Sequence, residues 1–214
     1  LLLNYINPFG IIPVLIILLL LSGTAIFAQD LSTELPDQDG SLMAARQFNS
    51  FEKGDGILSL SLGAVFPLGF YHFDSGSFMK ANSYPGFAFT ISYAGFIMPN
   101  WAIEGEFAGG FIGSQNKDTL FVAPISVRMA RYFPIGSFAI APSAGLGMAI
   151  SSIGGYKHID ALAKLGSSFL WKANADMSYS FKLFANFIPQ FFKNSEQSML
   201  GFFLETTLSV AYHM

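Results

Sequence analysis

From Met199 to Met214 the chain alternates. Leu200, Phe202, Leu204, Thr206, Leu208, Val210 and Tyr212 stand at every second position, with Gly201, Phe203, Glu205, Thr207, Ser209, Ala211 and His213 between them. Successive side chains of a strand point to opposite faces. This segment therefore predicts a strand with one bulky, mostly apolar face and one largely small or polar face. Such a strand suits a wall between lipid and a polar interior.

The same period recurs upstream and predicts about eight strands. The first runs from Ile57 to Phe66, with Leu58, Leu60, Leu62 and Ala64 outward and Ser59, Ser61 and Gly63 inward. Gly86 to Ile97, Trp101 to Ile112, Leu120 to Phe133 and Phe138 to Ile150 follow with the same contrast. The sixth is placed at Ser168 to Tyr179, the seventh at Leu183 to Phe192, and the C-terminal segment is the eighth. The seventh is apolar on both faces; putting Asn186 and Gln190 inward also puts Phe184, Ile188 and Phe192 inside.

Faces assigned from apolar residues also sort the charges. Glu104, Glu106, Arg128, Lys172, Asp176 and Glu205 all fall on the inner face, and Arg131 alone points outward, near a strand end where it can snorkel. A charge facing lipid at mid-depth costs about 2–4 kcal/mol, so this sorting is what a membrane wall requires. The predicted connections alternate in length: Pro67 to Pro85 and Ser151 to Ser167 are long, whereas Met98 to Asn100, Pro134 to Ser137 and Ser180 to Lys182 are short. Trp101, Tyr132, Phe133, Phe181 and Tyr212 would form an aromatic girdle on the side of the short turns.

Composition narrows the class. Of 214 residues, 52% are hydrophobic and only 12% charged, against ~25% charged in a soluble domain. A spanning helix needs about 20 predominantly apolar residues, and only Phe9 to Ala28 comes close. A backbone inside lipid must satisfy its own hydrogen bonds, which leaves a closed barrel for the rest of the chain. The fold class expected is therefore all-β, an eight-stranded antiparallel transmembrane barrel over residues 56–214. The net charge of −3 and the lack of a basic stripe argue against nucleic acid. With no cysteine, disulfides, thiolate metal sites and lipidated cysteines are excluded.

Residues 1–28 are uncharged. An apolar run from Ile11 to Leu21 leads into Ser22-Gly23-Thr24-Ala25 and Ile26-Phe27-Ala28, which reads as a signal peptide cleaved after Ala28. Residues 29–55 form a polar, acidic lead-in on the periplasmic side. Within it Leu42 to Phe51 is expected as a short helix, and tucking into the barrel mouth is an open alternative.

The strand count, the loop alternation, the phrase Val127-Arg128-Met129-Ala130-Arg131-Tyr132-Phe133 and the aromatic C-terminal strand together resemble the small eight-stranded outer-membrane barrels of the OmpW/OmpX/OmpA type. The resemblance covers roughly Ile57 to Met214 and departs from the family at the end, where Tyr212-His213-Met214 stands in place of a final Phe. It implies a bacterial outer-membrane location, surrounding outer-membrane lipid, delivery by the barrel assembly machinery and a monomer.

Three functions stay open. The inner charges Glu104, Glu106, Arg128, Lys172, Asp176 and Glu205 form either a structural plug or a gate, with Arg128 opposite Glu104 if the hairpin centres near Asn116. An OmpW-like barrel implies limited passage of small or hydrophobic solutes, and Phe184, Ile188, Phe192 and Phe203 would line that lumen. The alternative is a non-conducting structural or adhesive barrel that binds host or surface partners through its loops, which carry Tyr71, Phe73, Phe78, Tyr84, Tyr156, Lys157 and His158. A lipid-modifying enzyme comes third: His72 with Ser75 or Ser77, and His158 with Ser152, have no spacing that orients a nucleophile and base. The expectation is no enzyme activity, no cofactor and no metal, since His72, His158 and His213 lie far apart in sequence.

Overall fold

The computed structural model describes residues 47–113, 119–153, 156–191 and 198–214. Its strands are β1 (Gly56–His72), β2 (Ser77–Lys80), β3 (Gly86–Met98), β4 (Trp101–Gly113), β5 (Thr119–Arg131), β6 (Phe133–Ile135), β7 (Phe138–Ile153), β8 (Tyr156–Lys172), β9 (Met177–Gln190) and β10 (Met199–His213). Eight of them form an antiparallel wall in the order β1, β3, β4, β5, β7, β8, β9, β10, and β10 pairs back onto β1. β2 folds back on the far half of β1, and β6 pairs with the start of β7. Closure leaves the wall no unpaired edge. Among the described residues no helix is long and apolar enough to cross a membrane.

The register sets the bore. One row of paired residues starts at Ile57 and passes through Ala94, Glu104, Arg128, Gly145, Lys164, Asn186 and Phe203. It returns to β1 at Pro67, an offset of ten residues along the strand. Strands so staggered are steeply tilted, and eight of them leave an interior that side chains can fill.

The two faces behave as the alternation predicts. Leu60, Leu62, Leu146 and Leu208 are 59–72% exposed on the outside, while Ser59, Ser61, Thr90, Ser92, Ser126 and Ser209 are buried within. An apolar belt that wraps the whole outer face is stable only in hydrocarbon. Arg131 points outward at the terminal end, with its guanidinium 5.3 Å from the Trp101 ring centre and 5.0 Å from that of Phe133.

Several expectations are corrected. The stretch Ser151 to Ser167 is no loop: β7 continues to Ile153 and β8 begins at Tyr156, so only residues 154–155 join them. The sixth strand does not run from Ser168 to Tyr179 but ends at Lys172. The turn lies at residues 173–176, where the Asn174 side-chain oxygen accepts from the backbone of Asp176 and Met177. Ser180 to Lys182, expected as that turn, is strand within β9. The length alternation of the connections fails at this point. The first outer connection is also shorter in loop than expected, because Pro67 to His72 belongs to β1 and Ser77–Lys80 pairs with it. The signal-peptide assignment to residues 1–28 lies outside the described residues.

Of the lead-in, residues 47–55 are described, and they form no helix. They cross the terminal mouth as a strap. Phe48 N donates to Gly136 O at 2.8 Å, Asn100 N to Phe51 O at 3.0 Å and Gly54 N to Phe96 O at 2.9 Å. Asn100 adopts a positive φ of 61°, tolerated by this residue better than by most, and its side-chain oxygen accepts from Phe51 N at 3.0 Å. Phe48 and Phe51 are thereby buried among Ile57, Phe96, Tyr132 and Leu170, so the tucked alternative is the one adopted.

Candidate functional site

The lumen has three layers. At the terminal end lies an aromatic floor, in which Phe51 stacks on Phe96 with ring centres 4.4 Å apart and meets the edge of Tyr132 at 5.1 Å. At the loop end lies a second apolar layer of Ile112, Val122, Ala149, Leu162, Ile188 and Phe203. Between them sits a layer of charge.

Glu104 and Glu106 are two residues apart on β4, so both project inward, and β5 places Arg128 directly across from Glu104. The guanidinium spans the pair. Arg128 Nη2 donates to Glu104 Oε2 at 2.9 Å, and Nη1 donates to Glu106 Oε2 at 2.7 Å. Tyr132 OH donates to the other Glu104 oxygen at 2.7 Å. Lys164, from β8, donates to Glu106 Oε1 and, at 2.9 Å, to Glu205 Oε2. Asn186 Nδ2 also donates to Glu205 Oε2 at 3.1 Å, and Thr90 Oγ1 donates to Oε1 at 3.4 Å. Lys182 reaches across to Ser92 Oγ at 3.2 Å.

Three carboxylates (Glu104, Glu106, Glu205) thus share the layer with three cations (Arg128, Lys164, Lys182), all of them buried. Direct pairing makes this tolerable for the three carboxylates, Arg128 and Lys164, whereas Lys182 bonds the Ser92 hydroxyl. Isolated charges at this depth would be prohibitively desolvated, whereas paired and multiply hydrogen-bonded ones are not. Phe184 stands in the middle, 1% exposed, with the Arg128 guanidinium 4.3 Å and the Lys164 ammonium 4.9 Å from its ring centre. The layer also depends on glycine. A Cβ on Gly145 would lie 2.1 Å from the Val127 carbonyl oxygen and 2.5 Å from Arg128 Cγ.

Of the six residues expected in the cluster, the structure brings Glu104, Glu106, Arg128 and Glu205 together. Lys172 and Asp176 do not join them. Lys172 ends β8 at the terminal mouth, its ammonium 5.5 Å from the Phe48 ring centre, and Asp176 is exposed in the turn beyond. The shift of β8 and β9 explains both, and the same shift brings in Lys164 and Lys182. Tyr132, expected in the aromatic girdle on the side of the short turns, is buried in the lumen instead. Of the expected apolar lining, Phe184, Ile188 and Phe203 all face inward; Phe192 lies outside the described residues. Phe184 serves the charge layer, while Ile188 and Phe203 belong to the layer above it.

Above that layer a cavity of about 470 Å³ opens toward the loop end. Phe70, Leu120, Val122, Ile188, Met199 and Phe203 form its apolar lining, and Ser151, Lys157, His158 and Gln190 its polar part. Below it, next to Asn186 and Glu205, only a void of about 30 Å³ remains. That is room for a water or so and not for a solute. Among the described residues no group of acidic and histidine side chains is arranged to hold a metal ion.

A protein-family model matches residues 37–212, the barrel together with the segment leading into it. No curated protein matches the chain by sequence. Among solved structures the chain is similar to Neisserial surface protein A, with 13% identity and a TM-score of 0.55 over 75% of this chain and 97% of that one. It is also similar to the outer membrane protein OprG from Pseudomonas aeruginosa, with 10% identity and a TM-score of 0.47 over 76% and 97%. Ail, the attachment invasion locus protein of Yersinia pestis, gives 10% identity and a TM-score of 0.46 over 76% and 99%. At these identities the likeness is one of fold.

Proposed function

We propose that this eight-stranded barrel, as an outer-membrane protein, admits small apolar molecules through its outer cup, in an OmpW-like role, without conducting ions along its axis. The observation that carries this reading is the cavity of about 470 Å³, which lies within the range of ligand sites and is lined by Phe70, Leu120, Val122, Ile188, Met199 and Phe203. It stops above a layer of paired charges and an aromatic floor. An apolar solute moving down the axis would have to break the Arg128 and Lys164 bonds, so its exit is sideways.

The wall offers a weak place for that exit. Pairing of β1 with β10 slips between Pro67 and Gly69, beside the cup residues Phe70, Gly201 and Phe203. Pro67 has no N–H to give the ladder, and a bulge leaves a residue unpaired. On this reading the barrel is a monomer among outer-membrane lipids, inserted by the assembly machinery, and no catalysis is assigned to it. Glu104 and Glu106 are committed to Arg128 and Lys164, and Ser75 Oγ lies 2.6 Å from Ser77 Oγ rather than on a histidine.

The test is photolabelling of the barrel in nanodiscs with an alkyl diazirine, with conductance recorded in planar bilayers. Adducts at Ile188, Met199 and Phe203 that unlabelled alkane displaces, together with a silent bilayer, are the expected result. Adducts confined to lipid-facing positions such as Leu208 would overturn it. A second reading, an adhesive barrel acting through its loop end, is favoured by one observation. Tyr71, Phe73 and Phe191 form an exposed aromatic group, with neighbouring ring centres 6.0 and 6.3 Å apart. Loss of surface attachment in the Phe73→Ser, Phe191→Ser double variant, with labelling of the cup unchanged, would support it.

A further inference from the structure

We propose that the outer cup selects amphiphiles with an anionic headgroup, a carboxylate above all, over neutral molecules of the same chain length; this rests on the reading of the cup as a solute site. The lining carries the argument. Of the residues around the cavity, Lys157 and His158 are the ones able to bear charge, and both charges are positive. The described lining contains no carboxylate, although the chain as a whole has a net charge of −3.

Asp160 is buried in the wall beneath His158, accepts from His158 Nδ1 at 2.8 Å and from Gln190 Nε2 at 3.4 Å, and does not line the cavity. This contact fixes the ring at the rim. The polar groups are also gathered on one side. Ser151, Lys157, His158 and Gln190 come from β7, β8 and β9, whereas Phe70, Leu120, Val122, Met199 and Phe203 come from the flanking strands β1, β5 and β10; Ala149 and Ile188 are the apolar residues on the polar side. An acyl chain lying against the second group brings its headgroup to the first. There a carboxylate gains charge-assisted hydrogen bonds, roughly twice as strong as neutral ones, which an alcohol or alkane does not gain.

The experiment competes decane, decanol and decanoate against the alkyl diazirine at matched membrane concentrations, in phosphatidylcholine nanodiscs at a pH where decanoate is ionised. Decanoate should displace the label about tenfold better than decanol, a difference of about 1.4 kcal/mol. Lys157→Gln and His158→Gln should each erase most of that preference, read as the ratio of displacement by decanoate to displacement by decanol. Equal competition by decanol and decanoate in the unaltered protein would overturn the proposal and leave the cup intact as an apolar site. Absence of any label in the cup would instead overturn the solute-site reading, and the proposal with it. Repeating the series in phosphatidylglycerol nanodiscs separates the sources of the anion. Cup labelling already suppressed before competitor is added points to a bilayer lipid, and unchanged labelling to a free acid.

Discussion

Replacing Arg128 by Met tests the central layer most severely. The change keeps much of the side-chain volume beside Phe184 but removes the guanidinium that bridges Glu104 and Glu106. The two carboxylates fare differently. Glu106 keeps Lys164, whereas Glu104 keeps only the Tyr132 hydroxyl among its bonded partners. Glu104 is 6% exposed, so it is left as a buried, uncompensated charge. Breaking a buried pair from one side costs about 3–5 kcal/mol. That lowers the folding equilibrium by roughly a hundredfold to several thousandfold. Most of the loss is the stranded charge and not the lost bond, so neutralising it should restore stability. Glu104→Gln with Arg128→Met should therefore be more stable than Arg128→Met alone, with a coupling of about 1–3 kcal/mol. The assay is urea unfolding of the refolded barrel in lipid vesicles, followed by the fluorescence of Trp101 and Trp171, with the denaturant slope unchanged. A loss below about 1 kcal/mol for the single variant, or simple additivity in the double one, would refute the reasoning, because the charges would then be solvated rather than sealed.

Truncating the strap as Phe48→Ala with Phe51→Ala should lower the melting temperature and expose residues 47–55 to protease. Conductance should stay silent, because the charge layer above the floor is intact; steady openings would show that the strap alone closes the axis. Gly145→Val should prevent formation of the compact, heat-modifiable species on a gel. Gly105→Ala, where an added Cβ meets nothing within 4 Å, should leave it unchanged. Leu208→Lys, at an outer position 70% exposed, should cost about 2–4 kcal/mol by the same urea assay if that face meets the hydrocarbon. Arg131→Ala, which removes only contacts with Trp101 and Phe133 at the rim, should cost about 0.5–1 kcal/mol.

The parts of this barrel that were legible in the sequence share one property: their outer face is large and apolar, and their inner face is small or charged. In β1, leucine at positions 58, 60 and 62 alternates with Ser59, Ser61 and Gly63, so each position declares its side. In β4 and β5 the inner charges Glu104, Glu106 and Arg128 sit between Ile103, Phe107, Val127 and Met129, and the register that pairs Glu104 with Arg128 follows from the hairpin alone. Local pattern suffices when lipid on one side and a narrow lumen on the other impose the same contrast at every residue.

β8 lacks that contrast. Its outer positions Ala161 and Ala163 are small, and its inner positions Asp160 and Lys164 are charged, so its middle resembles a polar loop. Two local signals stand in the sequence: the Gly154-Gly155 dipeptide, a hairpin signal between Ile153 and Tyr156, and Asn174, whose side chain caps the turn before β9. The deeper reason is that Lys164 is acceptable inside only because Glu106 and Glu205 are there, and those lie on β4 and β10, far away in sequence. A buried charge is licensed by partners that the register brings together. Its strand becomes readable only once the whole ring is closed. The same logic governs the cup. Its apolar side was visible in Ile188 and Phe203, whereas its positive rim came from residues read as loop, so the preference for an anion could be inferred only after β8 had been placed.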